Sequence, residues 1–222
     1  MERHFDQELN ALKERLLTMA SHAESAVNQS VQALTQRDLS LALRVKEGDS
    51  VIDQFEIEID DLAIHLLSKA PLASDLRLVT VAMKISQNLE RVGDEAAKIA
   101  KRARDLSGEP PLKLALNLPK MATLALAMLK AALDAFVQRD PAAARALIPR
   151  DKEVDALHKE IQRLLTEQMT KDAETIKRCL HLMIAAKSLE RIADHATNIA
   201  EEVVYLCEAA DIRHAGKTAP AA

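Results

Sequence analysis

The chain has 222 residues and a formal net charge of -4 at pH 7, with 48% hydrophobic residues but only 2% aromatic ones. No basic run is present, which argues against a nucleic-acid partner, and four glycines leave little material for hairpin turns. Because the chain is rich in Ala, Leu, Glu, Lys and Arg, the strong helix formers, its composition predicts an all-α fold.

The N-terminus and the cysteines indicate a cytoplasmic protein. No basic region followed by an apolar stretch opens the chain, and no apolar run approaches the ~20 residues that cross a bilayer. We therefore expect neither a signal peptide nor a membrane span. Cys179 and Cys207 lie in apolar, helix-like stretches and favour buried thiols in a reducing compartment over a disulfide.

The first half of the chain predicts three helices. Apolar residues recur at helical spacing from Leu9 to Val27. Asp38 is the expected N-cap of the second helix, and Pro71 separates the second from the third because proline disfavours helix in the residue before it. The predicted helices span about residues 6–36, 38–69 and 75–104.

The second half repeats this pattern. Gln36-Arg37-Asp38 returns as Gln138-Arg139-Asp140, and Asp140-Pro141 is a strong helix start, with Asp as N-cap and Pro at the first helical position. Pro149 should kink or interrupt the helix that begins there. The expected units are a three-helix repeat in residues 1–107, a second in 112–212 and a tail at 213–222. A continuous six-helix bundle is the alternative to two tandem three-helix bundles.

One phrase recurs with seven of its twelve residues identical. Residues 89–100, LERVGDEAAKIA, return as residues 189–200, LERIADHATNIA. Each copy places two carboxylates four positions apart, so they stack on one face of a helix. The paired residues are Glu90 with Asp94 and Glu190 with Asp194. Small residues lie beside them at Gly93 and Ala193, so another group can come close there.

The second helix of each half carries a similar pair. These pairs are Asp49 with Asp53 and Asp151 with Asp155. If the second and third helices pack antiparallel, four carboxylates per half would converge and could bridge ions about 3.5–4 Å apart. Ligand sets made only of oxygen favour Mg, Ca, Mn or ferric iron over structural zinc. The alternative is a solvated acidic face, or acidic residues that favour a helix start through capping and the helix dipole.

The histidines and the missing motifs argue against an enzyme. His195 follows Asp194, but its counterpart is Glu95, so we expect it at the surface; His158 lies three residues after Asp155. No Glu-x-x-His occurs, which argues against a ferritin-like di-iron oxidase. The sequence also lacks a Gly-rich phosphate loop, His-Glu-x-x-His and Gly-x-Ser-x-Gly. A metal-dependent enzyme and a metal-free helical adaptor both remain open beside a metal-binding protein that is not an enzyme.

Together these motifs resemble the PhoU family of bacterial regulators of phosphate transport. The resemblance spans about residues 5–216. It rests on the two LER phrases, on the ASDLR segment at residues 73–77 that follows the proline turn, and on the DIRHAG tail at residues 211–216. The tail would cap the last helix or form part of an interface.

The resemblance implies a fold, a metal site and partners. PhoU-like proteins are two tandem three-helix bundles, and some hold multinuclear metal clusters on a Glu/Asp-x-x-x-Asp motif, which falls here on Glu90/Asp94 and Glu190/Asp194. Ala193, in place of the usual Gly, and His195 would change which metal binds; iron, manganese, magnesium and zinc are the candidates.

The family is thought to contact a membrane sensor histidine kinase and the phosphate ABC transporter or its ATPase. It represses the phosphate-starvation genes when phosphate is plentiful. By resemblance we expect a cytoplasmic homodimer that reaches the membrane only through these partners.

Overall fold

The computed structural model describes residues 2–69 and 73–213, and every regular element in this part of the chain is helical. The helices are α1 Glu2–Gln36, α2 Leu39–Leu67, α3 Ala73–Leu106, α4 Leu118–Gln138, α5 Pro141–Leu147, α6 Asp151–Lys171 and α7 Ile176–Glu208. Two short 3-10 turns, Ile148–Arg150 and Ala173–Thr175, precede α6 and α7. The all-α prediction is confirmed.

The seven helices form two bundles. Helices α1, α2 and α3 pack on one another, and α4 packs with α5, α6 and α7. Helix α3 also packs along α7, and α1 touches α4, so one continuous apolar core runs through both bundles. The predicted pair of tandem three-helix bundles is confirmed, and α3 and α7 are the helices that join them.

The apolar stripe of α3 and that of α7 supply the centre of this core. Leu89 and Ile99 on α3 are fully buried, as are Leu189 and Ile199 at the equivalent positions of α7. Burying one such side chain contributes about 1.5–3 kcal/mol. The repeated phrase therefore has a packing role before any chemical one.

The repeated Gln-Arg-Asp phrase builds the same connection twice. Arg37 and Arg139 both adopt the left-handed conformation, with φ of 56° and 52°. Asp38 then accepts a hydrogen bond from the backbone N–H of Leu41 at 2.9 Å. Asp140 caps its helix in the same way, accepting from two backbone N–H groups at 2.9 and 3.0 Å. Both predicted N-caps are confirmed.

Pro149 divides the middle helix of the second half. It lies in the 3-10 turn between α5 and α6, where the missing N–H leaves the α-helical ladder broken. Its first-half counterpart, α2, runs unbroken through Gly48. The second bundle therefore has four α-helical segments where three helices were expected, with α5 and α6 together replacing α2.

Helix α4 is an exception to the expectation that no apolar segment is long enough to span a bilayer. Among the described residues it is the one helix whose length and composition would allow it to cross a membrane. Half of its most apolar window is buried inside the protein. Its buried side chains, from Leu118 to Phe136, face the second bundle's core.

Three further expectations concern the connections. The boundary expected between the two repeats, after residue 107 and before residue 112, lies in the segment between α3 and α4. There the Arg37 guanidinium donates hydrogen bonds to the carbonyls of Leu106 and Glu109. The break at Ala70–Leu72 and tail residues 214–222 lie outside the described residues. The exact unit boundaries stay predictions.

Candidate functional site

Helices α3 and α7 cross in an antiparallel arrangement at the centre of the molecule. Lys84 Nζ lies 3.0 Å from Glu202 Oε2, and Arg102 Nη1 lies 3.3 Å from His181 Nδ1. Since residue 93 is halfway between 84 and 102, Gly93 lies near the middle of the α3 contact. The two LER phrases are therefore side by side, and each faces the middle helix of its own bundle.

The structure brings the four predicted carboxylates of the first half into one acidic cluster. Burial raises the pKa of Asp49, and the negative charges of Asp53 and Asp94 raise it further. The pKa of Glu90 is raised by burial and then by Asp94, Glu56 and Asp53. Glu56 is a member of this cluster that the sequence analysis missed.

Gly93 determines how closely α2 approaches this cluster. A β-carbon at residue 93 would lie 2.8 Å from Cδ1 of Ile52 and 3.5 Å from Oδ1 of Asp49. Ile52 therefore packs into the space that a side chain at residue 93 would occupy. The prediction that a small residue here lets another group come close is confirmed for Gly93.

The second half builds the equivalent cluster. The pKa of Asp194 is raised to about 6, most strongly by burial and then by the negative charges of Glu190, Asp151 and Asp155. The pKa of Asp151 is also raised, first by burial and then by Asp155 and Glu190. Lys187 offsets part of the charge, with its Nζ 2.5 Å from Glu190 Oε2.

Three buried polar atoms in the second cluster lack a hydrogen-bond partner. These are Oδ1 of Asp151, Nε2 of His158 and Oε2 of Glu190, the last of which is ion-paired with Lys187. His158 is only 8% exposed, and the charges of Glu190 and Asp155 act on its ring. Burial lowers the pKa of His158, which favours the neutral imidazole.

The donor types of both clusters suit a metal ion, because a cation would relieve repulsion among like charges. The unpartnered oxygen of Asp151 and nitrogen of His158 are free to bind one. Across residues 2–69 and 73–213, however, no three His, Cys, Asp or Glu side chains lie close enough to hold one ion. The predicted ligands, Glu90, Asp94, Glu190, Asp194, Asp49, Asp53, Asp151 and Asp155, therefore stay predictions.

A separate charged cluster joins α3 to α7. Glu95 is 4% exposed, and its Oε1 accepts hydrogen bonds from Lys98 at 3.0 Å and Arg191 at 3.1 Å. Burial alone would raise the pKa of Glu95, but hydrogen bonds from Ser188, Lys98 and Arg191 outweigh it and lower the pKa. Sequence reasoning missed this role, because the bond to Arg191 joins residues far apart in the chain.

His195 corrects one prediction. It was expected at the surface, but it is partly buried between α3 and α7, with Nδ1 3.0 Å from Oδ1 of Asn88. Burial lowers its pKa. The equivalence with Glu95 was the available signal, since both residues lie on the face that joins the two bundles.

The cysteines and the tail are also placed. Cys179 is buried, Cys207 is partly buried, and both are free thiols, as predicted. Helix α7 ends at Glu208, and the next residue, Ala209, is left-handed with φ of 57° and donates its N–H to the carbonyl of Tyr205. In the tail, Arg213 reaches back to within 3.6 Å of Glu202, while His214 to Gly216 lie outside the described residues.

Comparison with known proteins identifies the family. The PhoU domain matches twice, at residues 16–103 and 118–203. The chain is 42% identical over 208 residues to the Rhizobium meliloti "Phosphate-specific transport system accessory protein PhoU homolog", covering 93% of this chain and 88% of that one. It is 35% identical over 213 residues to the Escherichia coli accessory protein PhoU, covering 96% and 88%.

Solved structures agree with the sequence comparison. The crystal structure of PhoU from Pseudomonas aeruginosa matches with a TM-score of 0.89 and 39% identity, over 93% of this chain and 100% of that one. The phosphate transport system regulatory protein PhoU from Streptococcus pneumoniae matches with a TM-score of 0.87 and 30% identity, over 94% and 99%. With the domain matched in both halves and such relatives over most of its length, this chain belongs to the PhoU family.

Proposed function

We propose that this protein regulates phosphate uptake and the phosphate-starvation response, and that it acts by protein contact rather than by catalysis. The observation that carries the proposal is the match of both repeats to the PhoU domain. Relatives that share this match are named as accessory or regulatory proteins of phosphate transport. The sequence motifs of the enzyme classes considered above are missing from the chain.

The proposed partners are a phosphate-sensing histidine kinase and the ATPase of the phosphate ABC transporter. The protein acts in the cytoplasm as a homodimer and reaches the membrane only through these partners. Charged residues are abundant on its exposed helix faces, so the contacts should be of modest affinity and sensitive to salt.

The two acidic clusters are proposed to bind iron, manganese, magnesium or zinc. The shared feature that supports this is the meeting of four carboxylates from two helices in each half. A bound cation supplies positive charge that offsets their repulsion. The protein's own contribution is to position one carboxylate pair on α3 or α7 and the other on α2 or α6, so that binding would hold the two helices together.

Direct binding measurements test the proposed contacts. The purified full-length protein is titrated against the transporter ATPase and, separately, against the cytoplasmic part of the kinase. We expect binding to at least one of them, weakened about tenfold when salt rises from about 0.1 M to about 0.5 M. Light scattering on the same sample gives the oligomeric state. Binding to neither protein, at either salt concentration, would contradict the proposed mode of action.

A further inference from the structure

The side of α2 that points away from its bundle carries exposed apolar side chains. Leu43, Ile57 and Ile64 are 42%, 56% and 60% exposed, whereas Ile52 on the other side of the same helix is buried. The three exposed residues belong to the seven-residue series 43, 50, 57 and 64, whose remaining member is Ser50. A series with this spacing follows one side of a helix, as in helices that pack along each other. We call these four residues the α2 stripe.

The second repeat does not carry an equivalent of the α2 stripe. The residues 102 positions further along the chain are all exposed and all polar, namely Arg145, Lys152, Lys159 and Thr166. Because both repeats build the same kind of bundle, the fold itself does not require apolar side chains on this outer side. Apolar residues aligned along an exposed helix, rather than scattered singly, indicate a contact with another protein.

The charges beside the α2 stripe differ between its two ends. Lys46 lies three residues after Leu43, and Asp61 lies three residues before Ile64, so both are on the stripe's side of the helix. Both side chains are exposed, and neither forms an ion pair with another of the described residues. The stripe therefore has an available cation near its N-terminal end and an available anion near its C-terminal end.

We propose that the α2 stripe is the surface on which two copies of this chain pair, with their α2 helices antiparallel. This inference rests on the proposed homodimer and names its interface. A two-fold axis near the middle of the stripe places Leu43 of each copy beside Ile64 of the other copy. The same axis places Lys46 of each copy beside Asp61 of the other copy. Parallel helices would instead bring like charges together, so the charges select the antiparallel direction.

The α2 stripe is complementary to itself, which makes a second copy its occupant. In the antiparallel pair the small Ser50 lies opposite the large Ile57, and each end meets the end of opposite charge. A contact that uses the same surface on both copies closes at two chains. Asp53 of both copies comes near the axis, and this contact between like charges should keep the dimer reversible.

Substitutions at equivalent positions of the two repeats test the location of the interface. Ile57→Lys gives α2 the residue type that the second repeat carries there, and Lys159→Glu is the matched control on α6. Both positions are exposed, so both variants should fold, which circular dichroism verifies. Sedimentation of the full-length proteins over a range of concentrations gives the dimer dissociation constant. We expect Ile57→Lys to raise this constant at least about tenfold and Lys159→Glu to leave it unchanged.

Charge reversal and disulfide trapping test the antiparallel direction. Lys46→Glu should weaken the dimer, and Asp61→Lys in the same chain should restore it, because opposite charges then face each other again. For trapping, Leu43→Cys and Ile64→Cys are each made together with Cys207→Ser. Mild oxidation should link the two proteins when they are mixed. Neither should form a linked dimer alone, because the two copies of residue 43 would lie about 30 Å apart along the helices.

The outcomes separate failure of this inference from failure of the proposed homodimer. If wild type dimerises and Ile57→Lys dimerises equally well, the homodimer stands and the α2 stripe is not its interface. Equal weakening by Lys159→Glu, or disulfide-linked dimers from the single Leu43→Cys protein, would also overturn the antiparallel pairing of α2. If wild type stays monomeric at every concentration, the proposed homodimer fails, and this inference fails with it.

Discussion

A β-carbon added at Gly93 would lie 2.8 Å from Cδ1 of Ile52, closer than side chains pack. The equivalent positions in the second half hold Ala193 and Val154, both fully buried. One half thus pairs a missing side chain with isoleucine, and the other pairs a methyl group with the smaller valine. The two repeats therefore divide a similar side-chain volume differently, between α2 and α3 in the first half and between α6 and α7 in the second.

The first prediction is that Gly93 and Ile52 are energetically coupled. Gly93→Ala gains helix propensity of about 1 kcal/mol but overpacks against Ile52. Ile52→Val removes the obstructing methyl group. We expect the alanine substitution to be at least about 0.5 kcal/mol more favourable with Val at residue 52 than with Ile, by denaturant unfolding of the four proteins. Additive effects would show that Ile52 moves aside without cost.

The second prediction concerns the two left-handed arginines. For residues with a β-carbon this conformation costs roughly 1–2 kcal/mol. Glycine avoids that cost but loses more conformational entropy on folding, so the substitution recovers only part of it. Arg139 is exposed, and its side chain makes no hydrogen bond to the described residues. Arg139→Gly should therefore stabilise the protein by about 0.5–1 kcal/mol.

Arg37→Gly is the matched variant and should have the opposite sign. The guanidinium of Arg37 donates to the carbonyl of Leu106 at the end of α3 and to that of Glu109 in the segment that follows. Losing bonds from a charged donor outweighs the relief of strain, so we expect a net loss of about 1 kcal/mol. Unfolding curves of both variants give the comparison. Equal stabilisation by both substitutions would show that the contacts of Arg37 contribute nothing.

The third prediction is a pH dependence carried by Asp194. Its pKa is raised from 3.8 to about 6 by burial and by the surrounding carboxylates. A raised pKa in the folded state means that stability is gained below about pH 4 and lost as the pH rises through 6. In metal-free protein, Asp194→Asn should thus be more stable than wild type at pH 7, on the order of 1 kcal/mol, and this advantage should vanish by pH 4.

Asp105 provides a control of opposite sign. Burial raises its pKa, but the hydrogen bond from Arg104 and the charge of Arg102 outweigh burial and lower it. Asp105→Asn should therefore destabilise the protein at pH 7, and the loss should shrink as the pH falls below 3.8. Thermal unfolding at several pH values measures both variants. A stability difference for Asp194→Asn that does not vary with pH would contradict the prediction.

The fourth prediction tests metal binding by halves. Replacing Glu90 and Asp94 by Ala should remove ions from the first cluster only and leave the second occupied, as measured by elemental analysis of the purified protein. Chelation of the wild type should lower its melting temperature, because the carboxylates then repel one another. Chelation that changes neither the metal content nor the melting temperature would count against functional metal sites in these clusters.

The sequence predicts local features of this fold well. Asp38, Asp140 and Pro149 act through their own chemistry within a few residues, so capping and interruption can be read directly from the chain. The periodicity that predicts the stripe around Leu89 and Leu189 is equally local. The repeat also predicts that both halves share one architecture.

Several specific contacts between helices were not predicted, although the meeting of the acidic pairs and the close approach at Gly93 were. The bond from Arg191 to Glu95 joins residues 96 positions apart, and no spacing rule reports that distance. Glu56 enters the first cluster because α2 packs beside α3, and His195 is covered because α7 packs on α3. Only the three-dimensional arrangement reveals such pairs.

A deletion of the gene measures the regulatory assignment most directly. In the organism that encodes this chain, a clean deletion is combined with a reporter of the phosphate-starvation genes and grown in rich phosphate. We predict high reporter expression without the protein and restored repression when the full-length chain is supplied again. Normal repression in the deletion strain, with no second copy of the gene present, would contradict the account.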